Sequence, residues 1–391
     1  MLAHRASFCD RFPSENDPVE IGYFDFSRDG AFICIGETTA WNWQQGAQLQ
    51  WVTVSGREQV LFNQRYRNGV FAALHDPESN EESRLSAPVY TVSKNSSVAL
   101  TLNYGRLFKV RQDYGLSGVP DTFGEELAPS QDGIYRFDFP NGNPRLILSI
   151  AEIAMMEPNP MGEGRKHWVN HLMFNPAGNR FCFLHRFERT DGIVHSRLMS
   201  ANQDGTELRL LFEGLVSHYD WMDDGRIFAW AGRRSLLTGG SGKRGGIGSA
   251  IRKCLKPVYY ALGKPRILMQ KIVGDSYFII NDMVEKKSLE VAKGILTSDG
   301  HCTVSPDRKW MLTDGYTDAK NRLPLYVWNL DEEWAVELGR YDTPPHLDGP
   351  LRVDLHPRFS HDGRKICIDS AMDGARNMYI LDASGIVGAT Q

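Results

Sequence analysis

The six cysteines of this chain (Cys9, Cys34, Cys182, Cys254, Cys302 and Cys367) are scattered, and none stands in a CxxC pair. That leaves no thiolate metal site or redox pair of that spacing. Two of them sit in apolar strand-like runs, "FICI" and "KICI", which predicts reduced core thiols and a cytoplasmic protein. No run of about 18 apolar residues is present, so no membrane-spanning helix is expected. The opening "MLAHRASFCDRFPSENDP" has no continuous apolar stretch, and no secretory leader is expected from it. Charge of one sign is also missing. A net charge of −4 gives no reason to expect nucleic acid as the partner of the whole molecule. Helical periodicity is scarce. With nine Trp and 41% hydrophobic residues, the 391-residue chain nevertheless carries enough apolar surface for a large core.

What fills the space is a repeated hairpin. "YFDFSRDGAFICI" from Tyr23, "VYTVSKNSSVALTL" from Val89 and "LMFNPAGNRFCFL" from Leu172 share one plan. "YDWMDDGRIFAWA" from Tyr219, "CTVSPDRKWMLT" from Cys302 and "PRFSHDGRKICI" from Pro357 share it too. "LQWVTVSGREQVLF" from Leu49 is a weaker copy, which makes seven candidates. Each is a short alternating strand, a tight turn of Asp, Asn, Gly or Pro, and a second apolar strand. Further strand signals such as "PLYVWNLD" and "NMYILDA" follow several of them. A hairpin repeated at irregular intervals with almost no helix predicts an all-β, seven-bladed β-propeller. Residues 1–391 are read as one such domain, interrupted by an insertion at about 233–271.

In a propeller the innermost strand of each blade lines a central channel, so polar residues at its head are candidates for a site. His167, Asn170 and His171 head one hairpin; His218 and Asp220 head the next. His301 heads a third, and Asp354 and His356 a fourth. Polar strand ends bonded to neighbouring blades are the plainer explanation of any one of them. Four histidines at equivalent positions are harder to explain that way. If the ring closes, His171, His218, His301 and His356 are expected to share one pocket.

At these residues the chain resembles the oligogalacturonate lyase type of polysaccharide lyase. The resemblance rests on "NHLMFNPAGNRFCFLHR", "SRLMSANQDGTELRLL" with "SHYDW", "DGHCTVSPDRKWMLTDGY", and "LHPRFSHDG" with "DSAMDGARNMYILD". It implies a seven-bladed propeller that cleaves a uronic-acid-containing oligo- or polysaccharide by metal-assisted β-elimination. In that reaction a base removes the weakly acidic C5 proton while a cation neutralises the adjoining carboxylate. By the resemblance, His218 is the base and Arg197 helps bind or polarise the substrate, while His301 and His356 are metal ligands. His171 is a second candidate for the proton-transfer role. The family's last His-Pro-His-Pro run is altered here to "LRVDLHP". Asp354 stands where a histidine is expected and Leu351 where a glutamine is expected. His301, Asp354 and His356 still form a competent ligand set for a divalent cation, Mn or else Zn or Ca. Arg352 supplies the charge in the alternative with no metal. Asn170, Arg186, Arg352 and Tyr104 are candidates for binding the acidic glycan, with Arg106 and His185 beside them.

"AWNWQQGAQLQW" offers three Trp, read either as sugar-stacking rim or as core. The insertion carries ten Lys or Arg and no acid. A solvated loop, a lid over a polyanion and a peripheral contact with anionic lipid are its three readings, the last through a short basic helix kinked at Pro257. A non-catalytic propeller that binds an acidic glycan or a protein partner is the competing function. A glycoside hydrolase needs paired carboxylates, and only Asp220 and Asp354 offer themselves.

Overall fold

Four of the hairpins are closed by the same turn, and its chemistry is written in the sequence. Ser93, Asn175, Ser305 and Ser360 each begin a six-residue segment. The fourth residue donates its N–H to the carbonyl of the first: Ser96, Gly178, Arg308 and Gly363, at 2.7, 2.9, 3.0 and 2.9 Å. These four take positive φ of 54°, 73°, 64° and 71°. The first side chain then accepts the N–H of the sixth residue, at 3.1 Å for Val98 and Arg180, 3.0 Å for Trp310 and 2.9 Å for Lys365. A short hydroxyl or amide thus stands in for a backbone acceptor and fixes where the second strand begins.

The computed structural model describes residues 1–190, 192–232, 275–284, 287–347, 349–374 and 376–387. The basic insertion expected at 233–271, with its lid and lipid readings, lies outside the described residues. The described chain is mostly β, with three short α-helices, Tyr104–Val110, Ile150–Met155 and Ser384–Val387. No helix among them is long and apolar enough to cross a membrane.

Two compact units are present. The first takes in Met1–Phe187, Met199–Arg209 and Gly349–Leu351. It holds a three-stranded antiparallel sheet within 2–38, four-stranded sheets within 50–84 and 91–149, and the hairpin of His167–Phe174 with Arg180–Glu188. Its core includes Leu61, Leu74, Val89, Ala99 and Phe137, all at most 3% exposed. The second unit takes in Glu188–Leu198, Leu210–Asp348 and Arg352–Gln391. Its strands are Arg209–Trp221, Arg226–Gly232, Asp275–Asn281 and Ser288–Val291, then Thr303–Val304, Trp310–Asp314, Arg322–Asn329 and Ala335–Asp342. Arg358–Phe359, Lys365–Ser370 and Asn377–Asp382 complete it. Alternating apolar residues of these strands face one another, with Phe228 packed against Tyr277 and Trp328 at centroid distances of 4.8 and 5.3 Å.

Cysteine and tryptophan divide between core and surface. Cys182, Cys302 and Cys367 are buried thiols, but Cys34, expected in the core from "FICI", is exposed. Its strand Ala31–Thr38 is largely unburied along its length, so apolar alternation there has no covering layer. Trp41 and Trp43 are 4% and 1% exposed and belong to the core. Trp51 is 40% exposed and lies edge-on to Tyr23.

The shared turn sets a stability expectation. Ser305→Ala and Ser360→Ala each remove an acceptor of a backbone N–H and should each cost about 1–2 kcal/mol. Urea unfolding of the two variants checks this, and two unchanged midpoints would refute the role given to the hydroxyls.

Candidate functional site

The register of the second unit's hairpins builds the site. Thr303 pairs with Leu312. Two residues further along, the same register sets His301 opposite Asp314. Asp314 accepts the His301 backbone N–H at 2.6 Å and meets its Nδ1 at 3.2 and 3.1 Å. In the last sheet Arg358 pairs with Cys367, which sets His356 opposite Asp369, with Nδ1 and Oδ2 3.7 Å apart. Arg358 and Arg376 grip Asp369 at 2.9 and 3.3 Å. Asp314 reaches further and accepts the His356 N–H at 3.2 Å, where His356 has φ +41°.

His218 obtains its carboxylate differently. Its Nδ1 lies 2.8 Å from Asp299, which precedes the strand headed by His301. Ser217 Oγ and Tyr316 Oη also donate to Asp299, at 2.7 and 3.0 Å. The three imidazoles form a row. His218 and His301 lie 4.0 Å apart between centroids, His301 and His356 4.1 Å, with tilts of 51° and 53°. Asp220 takes another course and accepts the N–H groups of Trp221 and Val304, both at 2.8 Å. Burial pushes its carboxyl up to about 6.

Charge is arranged beside the row. Arg352 Nε donates to both oxygens of Asp354 at 2.7 and 2.8 Å, and its guanidinium lies 4.5 Å over the Tyr316 ring. Ligand atoms of His301, Asp354 and His356 all fall within 4.8 Å of one another. Burial alone would push the His301 imidazole down, but Asp314 outweighs it and lifts the group to about 9. Burial, reinforced by His301, pushes His356 down. Burial opposes ionisation of Asp299, Asp314 and Asp369, yet their cationic and hydrogen-bonding partners hold all three below the ordinary aspartate value.

The remaining candidates are placed as follows. Arg197 is buried in the second unit, its Nε 3.8 Å from Glu213. His171 lies in the first unit with φ +56°; its N–H donates to Tyr90 Oη at 2.8 Å, and its ring packs on Tyr114. Asn170 is fully buried, and its side-chain amide has no hydrogen-bond partner among the described residues. Arg186 is buried opposite Trp168. Tyr104 is buried as well, and its hydroxyl is committed to the Val89 carbonyl at 2.8 Å. Arg106 clamps backbone, donating to the carbonyls of His167, Phe123, Glu126 and Leu127. His185 is bonded to His167, ring nitrogen to ring nitrogen, at 2.9 Å.

Asp299, Asp314, Tyr316 and Asp369 did not emerge from the sequence as site residues. Two of them carried a readable signal. Counting back across the "SPDR" and "SHDG" turns pairs His301 with Asp314 and His356 with Asp369. Asp299 and Tyr316 pair by the same count, but the approach of Asp299 to His218 crosses between sheets and has no local trace.

No family model matches the chain, and no curated protein matches it in sequence. Solved structures do. An oligogalacturonate lyase from Vibrio parahaemolyticus is 13% identical and superposes with a TM-score of 0.56 over 97% of this chain and 90% of that one. An oligogalacturonate lyase in complex with manganese is 14% identical, with a TM-score of 0.58 over the same shares. At these identities the likeness is one of fold.

Linkage between His301 and Asp314 predicts a pH signature. A histidine raised to about 9 from 6.5 contributes stability that is present in full below 6.5 and lost as pH rises through 9. The depressed Asp314 contributes stability present above 3.8 and lost as pH falls beneath it. With chelator present, the wild-type Tm should fall between pH 6.5 and 9. Asp314→Asn should lower the Tm and flatten that fall. Equal slopes in the two proteins would count against the pairing.

Proposed function

We propose that the chain is a lyase that cleaves a uronic-acid-containing oligo- or polysaccharide by β-elimination, on a seven-bladed propeller spanning 1–391 with an insertion at about 233–271. The observation that carries this reading is the row of three imidazoles, His218, His301 and His356, each facing a carboxylate through Nδ1, beside Arg352 and Asp354. A base and a concentration of positive charge next to each other are what abstraction of a proton α to a carboxylate needs. His218 Nε2 takes the C5 proton. The C5–H electron pair becomes the C4–C5 double bond, and the C4–O bond breaks with its pair on the leaving oxygen, which solvent protonates. Arg197 takes the polarising role that the resemblance gives it, and Asn170 and Arg186 bind the glycan. Tyr104 enters only as packing beneath Tyr90. Reduced thiols fit a cytoplasmic location.

The donors fit a divalent cation. His301 and His356 each turn Nδ1 to a carboxylate, the outer arrangement that orients metal-bound imidazoles, and Asp354 completes a mixed nitrogen and oxygen set. When bound, such an ion, manganese above all, supplies the charge that neutralises the substrate carboxylate. Arg352 is the source of that charge in the metal-free version. The hold of Arg352 on both oxygens of Asp354 also favours a second reading, a propeller that binds an acidic glycan without cleaving it.

Cleavage is read directly from the ultraviolet absorbance of the unsaturated uronate. On a polymer or oligomer the wild type cleaves, His218→Ala should lower kcat by about 10²–10⁴-fold with little change in Tm. Retained activity would move the base to His171 or to a tyrosine such as Tyr219, and His171→Ala is the companion variant. A wild type that binds uronates but cleaves none would give the lead to the binding reading.

Metal content separates the two sources of charge. Protein purified without chelator should carry stoichiometric Mn, Zn or Ca by elemental analysis, and His301→Ala with His356→Ala should abolish it. Cleavage by metal-free wild type would assign the role to Arg352.

A further inference from the structure

His301 and His356 face carboxylates of their own hairpins, but His218 has none to face. Val216 pairs with Ala231 and Tyr219 with Ala229, so Ser217 and His218 together oppose the single residue Trp230. This is a β-bulge, a device that re-aims side chains. Neighbouring strand residues ordinarily point to opposite faces, yet here Ser217 and His218 both reach Asp299. Asp299 is itself fixed from the other side. Tyr316, its opposite in the extended register of the next hairpin, donates to Oδ2 at 3.0 Å. Ser217 Oγ spans both oxygens at 2.7 and 2.8 Å. Two hydroxyls donating to one carboxylate leave it acting as an acceptor, so the His218 contact has its proton on Nδ1.

We infer that Asp299 is a positioning residue: it holds His218 as the Nδ1–H tautomer and leaves the Nε2 lone pair as the basic site, with the bulge at Ser217–His218 and the Tyr316 hydroxyl fixing the geometry. Its catalytic meaning rests on the lyase reading, but the tautomer does not. Orientation of an imidazole by a hydrogen bond to its second nitrogen is a general route to defining which nitrogen reacts. Tyr316 adds a consequence of its own. Its ring lies under the Arg352 guanidinium while its hydroxyl lies on Asp299. One side chain therefore touches both the carboxylate that holds His218 and the Arg352 guanidinium.

Two readouts test this in the full-length protein. In long-range proton–nitrogen spectra of histidine-labelled protein, at a pH where the ring is neutral, His218 should show a protonated Nδ1 and a bare Nε2. Its signals are assigned by their loss in His218→Gln. Asp299→Asn should destroy that pattern and lower kcat by about 10–100-fold, with KM within about threefold of wild type. Asp299→Glu should restore part of both. Tyr316→Phe, which keeps the ring beneath Arg352, should lower kcat by less than about tenfold and guards against a folding defect in the first variant. An Asp299→Asn protein that keeps the Nδ1–H tautomer overturns the inference, whether its kcat is retained or falls only in step with lost thermal stability. A wild type with the expected tautomer that cleaves no uronate supports the positioning role and removes the lyase reading by itself.

Discussion

The carboxylate of Asp314 is the contact on which the candidate site depends. One oxygen accepts the His301 backbone N–H, the other accepts that of His356, and both meet the His301 ring. Two strand heads from two sheets are thereby tied at one point. Neither head has a regular ladder partner there, because the paired strands begin only at Thr303 and Arg358. Unpaired backbone N–H groups at such a place would carry a desolvation cost of about 1–3 kcal/mol each. A buried carboxylate resolves both at once, and the His301 imidazole and these hydrogen bonds together hold it below the ordinary aspartate value.

That logic recurs along the row. Asp369 is held by Arg358 and Arg376, Asp299 by hydroxyls and His218, and Asp354 by Arg352. Each acid is met by a cation or by hydrogen-bond donors in a small volume, and each would be costly alone. An imidazole bonded through Nδ1 offers one defined nitrogen, and a guanidinium braced by an aromatic face keeps its charge in place.

Asp354 in "LRVDLHP" is met by Arg352, two residues earlier, whose Nε donates to both of its oxygens. Residues two apart on an extended segment share a face, which is why this pair meets at all. The pairing makes Asp354 at once a ligand candidate and a guanidinium partner, and it is the chemical reason that metal and arginine compete as explanations of the site's charge.

Local rules made much of this legible in the amino-acid order. Alternating apolar runs and tight Asp, Asn, Gly or Pro turns define hairpins whatever lies around them, so the repeat, the mostly-β character and the histidine at four strand heads could be read directly. Register across a short turn is equally local, and it carries the pairing of His301 with Asp314 and of His356 with Asp369. Burial is not local. "FICI" and "KICI" look alike, yet Cys34 is exposed and Cys367 buried, because only the second strand is covered by others. Tyr104 and Arg106 have the side chains of a glycan site, but the packing around their helix turns them onto backbone carbonyls. Asp299 is the clearest case. In sequence it is the aspartate of "SDG" just before His301, 81 residues from His218. Only the packing of one sheet against the next, with a bulge that turns two adjacent side chains the same way, decides that it holds the imidazole, because a contact between sheets obeys no period that a chain can display.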